Sequence, residues 1–383
     1  MKKFVKILLR VLSYVLVAAI AAGVTMYATM RTNSYSKLEQ LKTLLTQRYI
    51  NGADETALED AAAHAMVGAL GDRWSYYIPA DEYAAYMEQK KNAYVGIGVT
   101  ITSDENGYPI QKVVEGGPAE EAGLLAGDVI VAVDGTSVAG MPVDEGKTLV
   151  QGKEGTTVQI TVDRAGEQIT FTVERRTVHT KVASAKMLSG NIGLVTIENF
   201  NANCYNESKA AAQQLIDQGA VALIFDVRYN GGGYADEMVK LLDYLLPKGE
   251  LFRTQDYLGK QSVKTSDESC VELPMAVLVN GSSYSAAEFF AAALREYDWA
   301  VIVGEPTSGK GHFQVTYQLG DGSAVGLSIG KYFTPNGVCL EGAGLTPDIF
   351  VEVDDATAAA IYAGTLDPME DPQILAAIAA LTQ

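Results

Sequence analysis

Val95, Ile97, Val99 and Ile101 alternate with Gly96, Gly98 and Thr100, the two-residue period of a half-buried strand. The period returns at Val158, Ile160 and Val162 and, past a turn at Ala165-Gly166, at Ile169, Phe171 and Val173. Between them, Gly127-Asp128-Val129-Ile130-Val131-Ala132-Val133-Asp134-Gly135 predicts a strand closed by an Asp-Gly turn. From Asn191 the texture changes. Residues 192–197, 220–227, 275–279 and 299–303 are apolar runs, as suits strands buried on both faces. Stretches 208–218, 236–246 and 285–297 between them predict helices. Residues 314–319 and 324–333 predict a hairpin around Asp321-Gly322, and 371–381 a short helix. The pattern therefore predicts a β-rich module of about 80 residues followed by an α/β core with a mixed sheet.

Upstream, residues 36–87 predict helices, with Leu38, Leu41, Leu44 and Leu45 at helical spacing and an Ala-rich stretch ending at Gly71. At the N-terminus, Lys2, Lys3, Lys6 and Arg10 precede an uncharged run from Val11 to Met30, closed by Arg31. A run of that length predicts a transmembrane helix with its basic flank in the cytoplasm. The expectation is a single-pass protein of the cell membrane with everything after Arg31, including whatever catalytic or binding domain it has, extracytoplasmic. Ala19-Ile20-Ala21 also fits a signal-peptide cleavage site, but the apolar run continues through Tyr27, which favours an uncleaved anchor. The expected division is an anchor over 1–31, a helical segment over 36–93, the β-rich module over 94–176, the α/β core over 177–350, and a linker and helix over 351–383.

Charge narrows the function. The formal net charge is −18, with no long basic run beyond the N-terminal tip, so a nucleic-acid partner is not expected. Cys204, Cys270 and Cys339 are scattered, as are His64, His179 and His312, and neither set has ligand spacing. Neither a metal nor a cofactor is expected. The helical segments at both ends leave homo-oligomer formation open against simple packing.

Three segments of the core have chemical character. Asp226-Val227-Arg228-Tyr229-Asn230-Gly231-Gly232-Gly233 places bare backbone N–H groups after a buried strand, where they can stabilise an oxyanion. Alone it is also what any tight strand-to-helix turn looks like. Val279-Asn280-Gly281-Ser282-Ser283-Tyr284-Ser285-Ala286-Ala287-Glu288 puts Ser285 at a helix start, with the Ala286 N–H beside it. The commonplace role there is an N-cap. In Gly304-Glu305-Pro306-Thr307-Ser308-Gly309-Lys310-Gly311-His312-Phe313-Gln314, glycines flank Lys310. Gly304 to Lys310 has phosphate-loop spacing, but Gly311 replaces the hydroxyl residue that would hold magnesium.

Two resemblances join these pieces. Tyr94-Val95-Gly96-Ile97-Gly98-Val99, Gly117-Pro118-Ala119, Ala122-Gly123-Leu124 and Gly127-Asp128-Val129-Ile130 resemble a PDZ domain of bacterial proteases. That resemblance implies a peptide site at Gly96, Ile97, Gly98 and Val99, with a groove helix near 143–150. The three core segments, with Tyr332-Phe333-Thr334-Pro335 and Gly344-Leu345-Thr346-Pro347-Asp348, resemble the carboxyl-terminal processing proteases. The family's Ser-Ala-Ser-Ala-x-Glu pattern falls on Ser283 to Glu288, with Tyr284 in place of the usual Ala.

The resemblance implies Ser285 as nucleophile, Lys310 as general base and Gln314 as its support. It lays the family's glycine turn on Gly231 to Gly233, of which Gly232 or Gly233 is expected to complete an oxyanion hole with the Ala286 N–H. A lysine base must shed its proton, so Lys310 is expected to be desolvated. The implied partners are flexible or unfolded protein C-terminal tails held by the PDZ-like module, and the membrane through the N-terminal helix. Two other readings remain: His312 as base with Asp226, as in Ser-His-Asp enzymes, and an inactive PDZ-based scaffold.

Overall fold

The structure is a computed structural model, which describes residues 13–25 and 37–382. The chain forms two compact units, Met1–Tyr77 and Ile78–Gln383.

In the first unit, residues 13–25 are helical. Among the described residues no helix is long and apolar enough to cross a membrane. That corrects four expectations together: the transmembrane helix, the single-pass cell-membrane placement, the extracytoplasmic catalytic domain and the membrane as a partner. Residues 11–12 and 26–30 of the expected anchor lie outside the described residues. Farther on, helices Lys37–Arg48 and Glu55–Gly68 pair, with Lys42 reaching Glu55 at 2.9 Å and Glu59 at 2.7 Å.

In the second unit the β-rich module is a sheet in the order Val99–Ile101, Tyr108–Val113, Val129–Val133, Thr157–Arg164, Glu167–Glu174. Ala165 (φ 56°) and Gly166 (φ 89°) make the tight turn between the last two strands. Ile97, Tyr108, Ile110, Leu124, Ile130, Ile160 and Val173 form its core. The buried Asp128 receives Arg164 at 2.6 Å, which holds its carboxyl below the usual range. Helix Val143–Val150 packs on the same core, and its Gly146 is needed because a Cβ there would overlap the Tyr108 ring and hydroxyl. The buried Arg175 donates to the Val150 carbonyl at that helix's end, at 2.6 Å.

The α/β core holds a mixed sheet of six strands, Ala183–Leu188, Ile192–Ile197, Ala222–Asp226, Met275–Val279, Ala300–Gly304 and Ile349–Phe350, in that spatial order. The first pair is antiparallel and the rest are parallel. Strand residues alternate between two apolar layers, which explains the unbroken runs. Leu223, Phe225, Val277 and Val279 meet helices Cys204–Asp217, Ala235–Leu245 and Ala286–Glu296. Ala222, Ile224, Ala276 and Leu278 meet helix Pro372–Leu381. The expected hairpin is His312–Gln318 with Ala324–Phe333. Ala324–Phe333 also pairs with Glu250–Asp256, and that strand with Gln261–Thr265, a hairpin the polar sequence did not announce.

Candidate active site

Strands Ala222–Asp226, Met275–Val279 and Ala300–Gly304 are consecutive neighbours and run parallel. The loops leaving their carboxyl ends therefore emerge together, the usual place for a site in an open parallel sheet. Those loops are the glycine turn, the serine turn and the lysine loop.

In the serine turn the two candidate hydroxyls have different jobs. Ser283 is fully buried; its hydroxyl donates to the Val227 carbonyl at 2.7 Å and accepts the Asn280 N–H at 3.0 Å. Ser285 follows at the N-cap of helix Ala286–Glu296 with φ 59° and ψ −124°, a strained conformation for an L residue. Such strain costs about 1–3 kcal/mol and persists only where the surroundings impose it. Here they do. The Glu288 carboxylate accepts the Ser285 N–H at 2.9 Å, the Glu288 N–H donates to the Ser285 carbonyl at 2.9 Å, and the Tyr284 N–H donates to the Asn230 carbonyl at 3.1 Å.

Asn230, fully buried, shapes the glycine turn. Its amide donates to the Ile197 carbonyl at 2.7 Å and its oxygen accepts the Gly232 N–H at 2.8 Å. Gly232 (φ 79°) lies so close to the serine that an added Cβ would sit 2.9 Å from both the Ala286 nitrogen and the Ser285 Cβ. Gly233 is pressed against the backbone of Phe200, whose N–H donates to the Gly232 carbonyl at 2.8 Å.

The lysine loop is tied to the serine by Glu288, which is fully buried. One of its oxygens accepts both the Ser285 N–H (2.9 Å) and the Lys310 N–H (2.8 Å). The other accepts the Gly309 N–H (2.8 Å) and the Thr307 hydroxyl (2.5 Å). Four donors on one carboxylate offset the cost of burying it at zero exposure. Lys310 itself is half-buried, with Nζ 5.7 Å from the centroid of the Tyr284 ring. Gln314 follows a bulge between Phe313 and Gln314, and its amide donates to the His312 carbonyl at 3.2 Å and the Ser328 hydroxyl at 2.9 Å.

Ser285, Ala286, Gly232, Gly233 and the Lys310 backbone thus share one neighbourhood. The quartet Gly96, Ile97, Gly98 and Val99 sits in the other module, where strand Ala93–Gly96 gives way to strand Val99–Ile101. The carbonyls of Ile97 and Gly98 accept the Ala119 and Val114 N–H groups, each at 2.8 Å, and Val99–Ile101 is an edge of its sheet. An edge strand is a template for an extended peptide.

The rival readings fare differently. The His312 ring stands 3.7 Å from Glu341. Asp226 binds Arg228 at 2.6 Å, and Arg228 in turn binds Asp371 at 2.8 Å, so Asp226 belongs to a buried ion triad anchoring the C-terminal helix. Burial works against the Arg228 charge, and the two carboxylates outweigh it. The segment after Lys310 is the strand His312–Gln318, not the helix a phosphate loop requires. Sequence reading counted Glu288 only as part of a pattern and missed Asn230, Thr307 and Glu341. The capping-box spacing of Ser285 and Glu288 was the one available signal.

Fold and loops together define a serine-type peptidase core joined to a PDZ module. Residues 191–351 match peptidase family S41 and residues 95–174 match the PDZ domain family. The chain is 32% identical over 348 residues to a probable CtpA-like serine protease of Staphylococcus haemolyticus, covering 87% of this chain and 70% of that one. It is 30% identical over 370 residues to the carboxy-terminal processing protease CtpA of Bacillus subtilis, covering 93% of this chain and 79% of that one. Against a similar protease of Staphylococcus epidermidis it spans 65% of the relative's length. A putative S41 protease from Bacteroides fragilis shares the fold, with a TM-score of 0.51 and 19% identity over 76% of this chain and 83% of that one. The chain belongs to peptidase family S41, the CtpA-like carboxyl-terminal processing serine proteases.

Proposed function

We propose that Ser285 is the nucleophile and Lys310 the general base of an endopeptidase that processes flexible or unfolded protein C-terminal tails. The observation that carries this is the shared Glu288 oxygen, which binds the backbone of both residues. As Ser285 Oγ attacks the scissile carbonyl, the neutral Lys310 amine takes its proton. Collapse of the tetrahedral intermediate breaks the C–N bond, and the lysine ammonium returns the proton to the departing amine. Water then hydrolyses the acyl-enzyme with the lysine again as base. The Ala286 N–H, at a helix start, faces the developing oxyanion. The Gly232 N–H is taken up by Asn230, so Gly233 is the glycine assigned to the second donor. Gln314 orients the amine, and a bound substrate strand covering the half-buried Lys310 completes its dehydration. The PDZ segment Gly96, Ile97, Gly98 and Val99, which leads into the edge strand, holds the tail, in an organisation of PDZ module over 94–176 and peptidase core over 177–350.

Cleavage of an unfolded protein with a free C-terminus tests the reading. Ser285→Ala and Lys310→Ala each lower kcat by about 10⁴-fold or more, and His312→Ala stays within about tenfold of wild type. Full activity in Lys310→Ala removes lysine from the mechanism.

A further inference from the structure

The lysine loop is gripped from two sides. On the serine side, Glu288 accepts the N–H groups of Gly309 and Lys310. On the far side, one oxygen of Glu341 accepts the next two, Gly311 at 2.7 Å and His312 at 3.0 Å. Four successive peptide N–H groups bracketing the Lys310 side chain therefore end on two carboxylates from distant parts of the chain. Glu341 belongs to a segment that docks along the whole loop. The Leu345 N–H donates to the Thr307 hydroxyl at 2.7 Å, and the Gly342 N–H donates to the Gly309 carbonyl at 3.0 Å. The fit is close: a Cβ on Gly311 would lie 2.5 Å from the Glu341 nitrogen and 2.9 Å from the Cys339 sulfur, and one on Gly309 2.9 Å from the Gly344 nitrogen.

The two carboxylates differ in setting. Glu288 is fully buried, with the Thr307 hydroxyl as a further donor, whereas the Glu341 side chain is 29% exposed and faces the His312 ring. A glycine on each side gives Lys310 backbone freedom, so the loop's shape rests on these outside partners and not on local stiffness. Removing the outer one deprives the Gly311 and His312 N–H groups of their carboxylate, while the inner grip and the bond from the Tyr332 N–H to the Gly311 carbonyl at 2.7 Å persist.

We propose that Glu341 is a positioning residue for Lys310: by taking the Gly311 and His312 N–H groups it fixes the loop conformation from which the lysine amine reaches the nucleophile. The inference rests on Lys310 being the base. In this role Glu341 acts through the loop backbone, so its loss falls on the chemical step and not on substrate capture.

The test measures kcat and KM separately on an internally quenched peptide ending in a free carboxylate, using the full chain. Glu341→Ala lowers kcat by about 10- to 100-fold, as a displacement near 1 Å does, with KM within about twofold. Glu341→Gln keeps an acceptor oxygen and stays within about fivefold of wild type. If Glu341→Ala does not fold, Glu341→Asp, one methylene short, answers instead and must lose more kcat than Glu341→Gln. Wild-type kcat in Glu341→Ala, or a loss confined to KM, overturns the inference. Lys310→Ala run in parallel separates the failures: an active Lys310→Ala defeats the lysine mechanism itself, whereas an inactive Lys310→Ala beside a fully active Glu341→Ala defeats only the role of Glu341.

Discussion

The PDZ module and the peptidase core present two ways of building a site from the same chain. In the module the proposed peptide site is local: Gly96 to Val99 are contiguous, and helix Val143–Val150, the expected groove helix, packs on the same small core. In the core, Gly233, Ser285 and Lys310 come from three loops brought together because three parallel strands are neighbours, and Glu341 reaches the last of these from a fourth segment. The proposed peptide site of the module relies on the backbone of an edge strand entered through the buried Gly96, Ile97 and Gly98. The core's depends on buried polar residues, Asn230 and Glu288, each satisfying several donors or acceptors at once. A site of the first kind loses function gradually under mutation, and one of the second kind abruptly.

The largest expected effect divides the two regions outright. Ser285→Ala abolishes cleavage, by about 10⁴-fold or more, and leaves the affinity for a tail peptide unchanged in fluorescence polarisation. A parallel loss of binding would mean that the two sites are one. Next comes Gly233→Ala, whose added Cβ would overlap the backbone carbonyl of Phe200, so the glycine turn must shift. A kcat loss on the order of 10²-fold, with an unchanged melting curve for the PDZ module, is expected.

Gly146→Ala is the matching change in the module, where the Cβ would overlap Tyr108. It destabilises the module by about 1–3 kcal/mol in denaturant melts and leaves hydrolysis of a short peptide intact. The smallest effect concerns Asp128, held below the ordinary value of 3.8 by Arg164. A depressed carboxyl contributes stability that is present above the ordinary value and is lost as pH falls through the folded one. The gap in melting temperature between wild type and Asp128→Asn is therefore widest near neutral pH and closes at acid pH. A gap that did not change with pH would show that the pair contributes through shape and not charge.

Much of this was readable from local pattern. Periodicity located the strands at 158–162, 192–197 and 275–279, and the helix at 143–150 coincides with the expected groove helix. The hairpin Glu250–Asp256 with Gln261–Thr265 escaped because Gln261–Thr265 is exposed throughout, and a strand without a buried face has no alternation to read. The apolar N-terminal run misled, because length and hydropathy alone suggested a membrane span that no described helix provides.

Residue order alone settles most of the core strands and helices and their turns, because propensity, period and glycine placement act over a few residues, and the three segments gained a chemical reading only through the family pattern they share. Which strands become neighbours, that Asn230 occupies the Gly232 N–H, and that Glu288 and Glu341 grip the lysine loop from opposite sides are decided in three dimensions. A buried carboxylate is stable only where several donors converge on it, and that convergence exists only once the sheet has assembled.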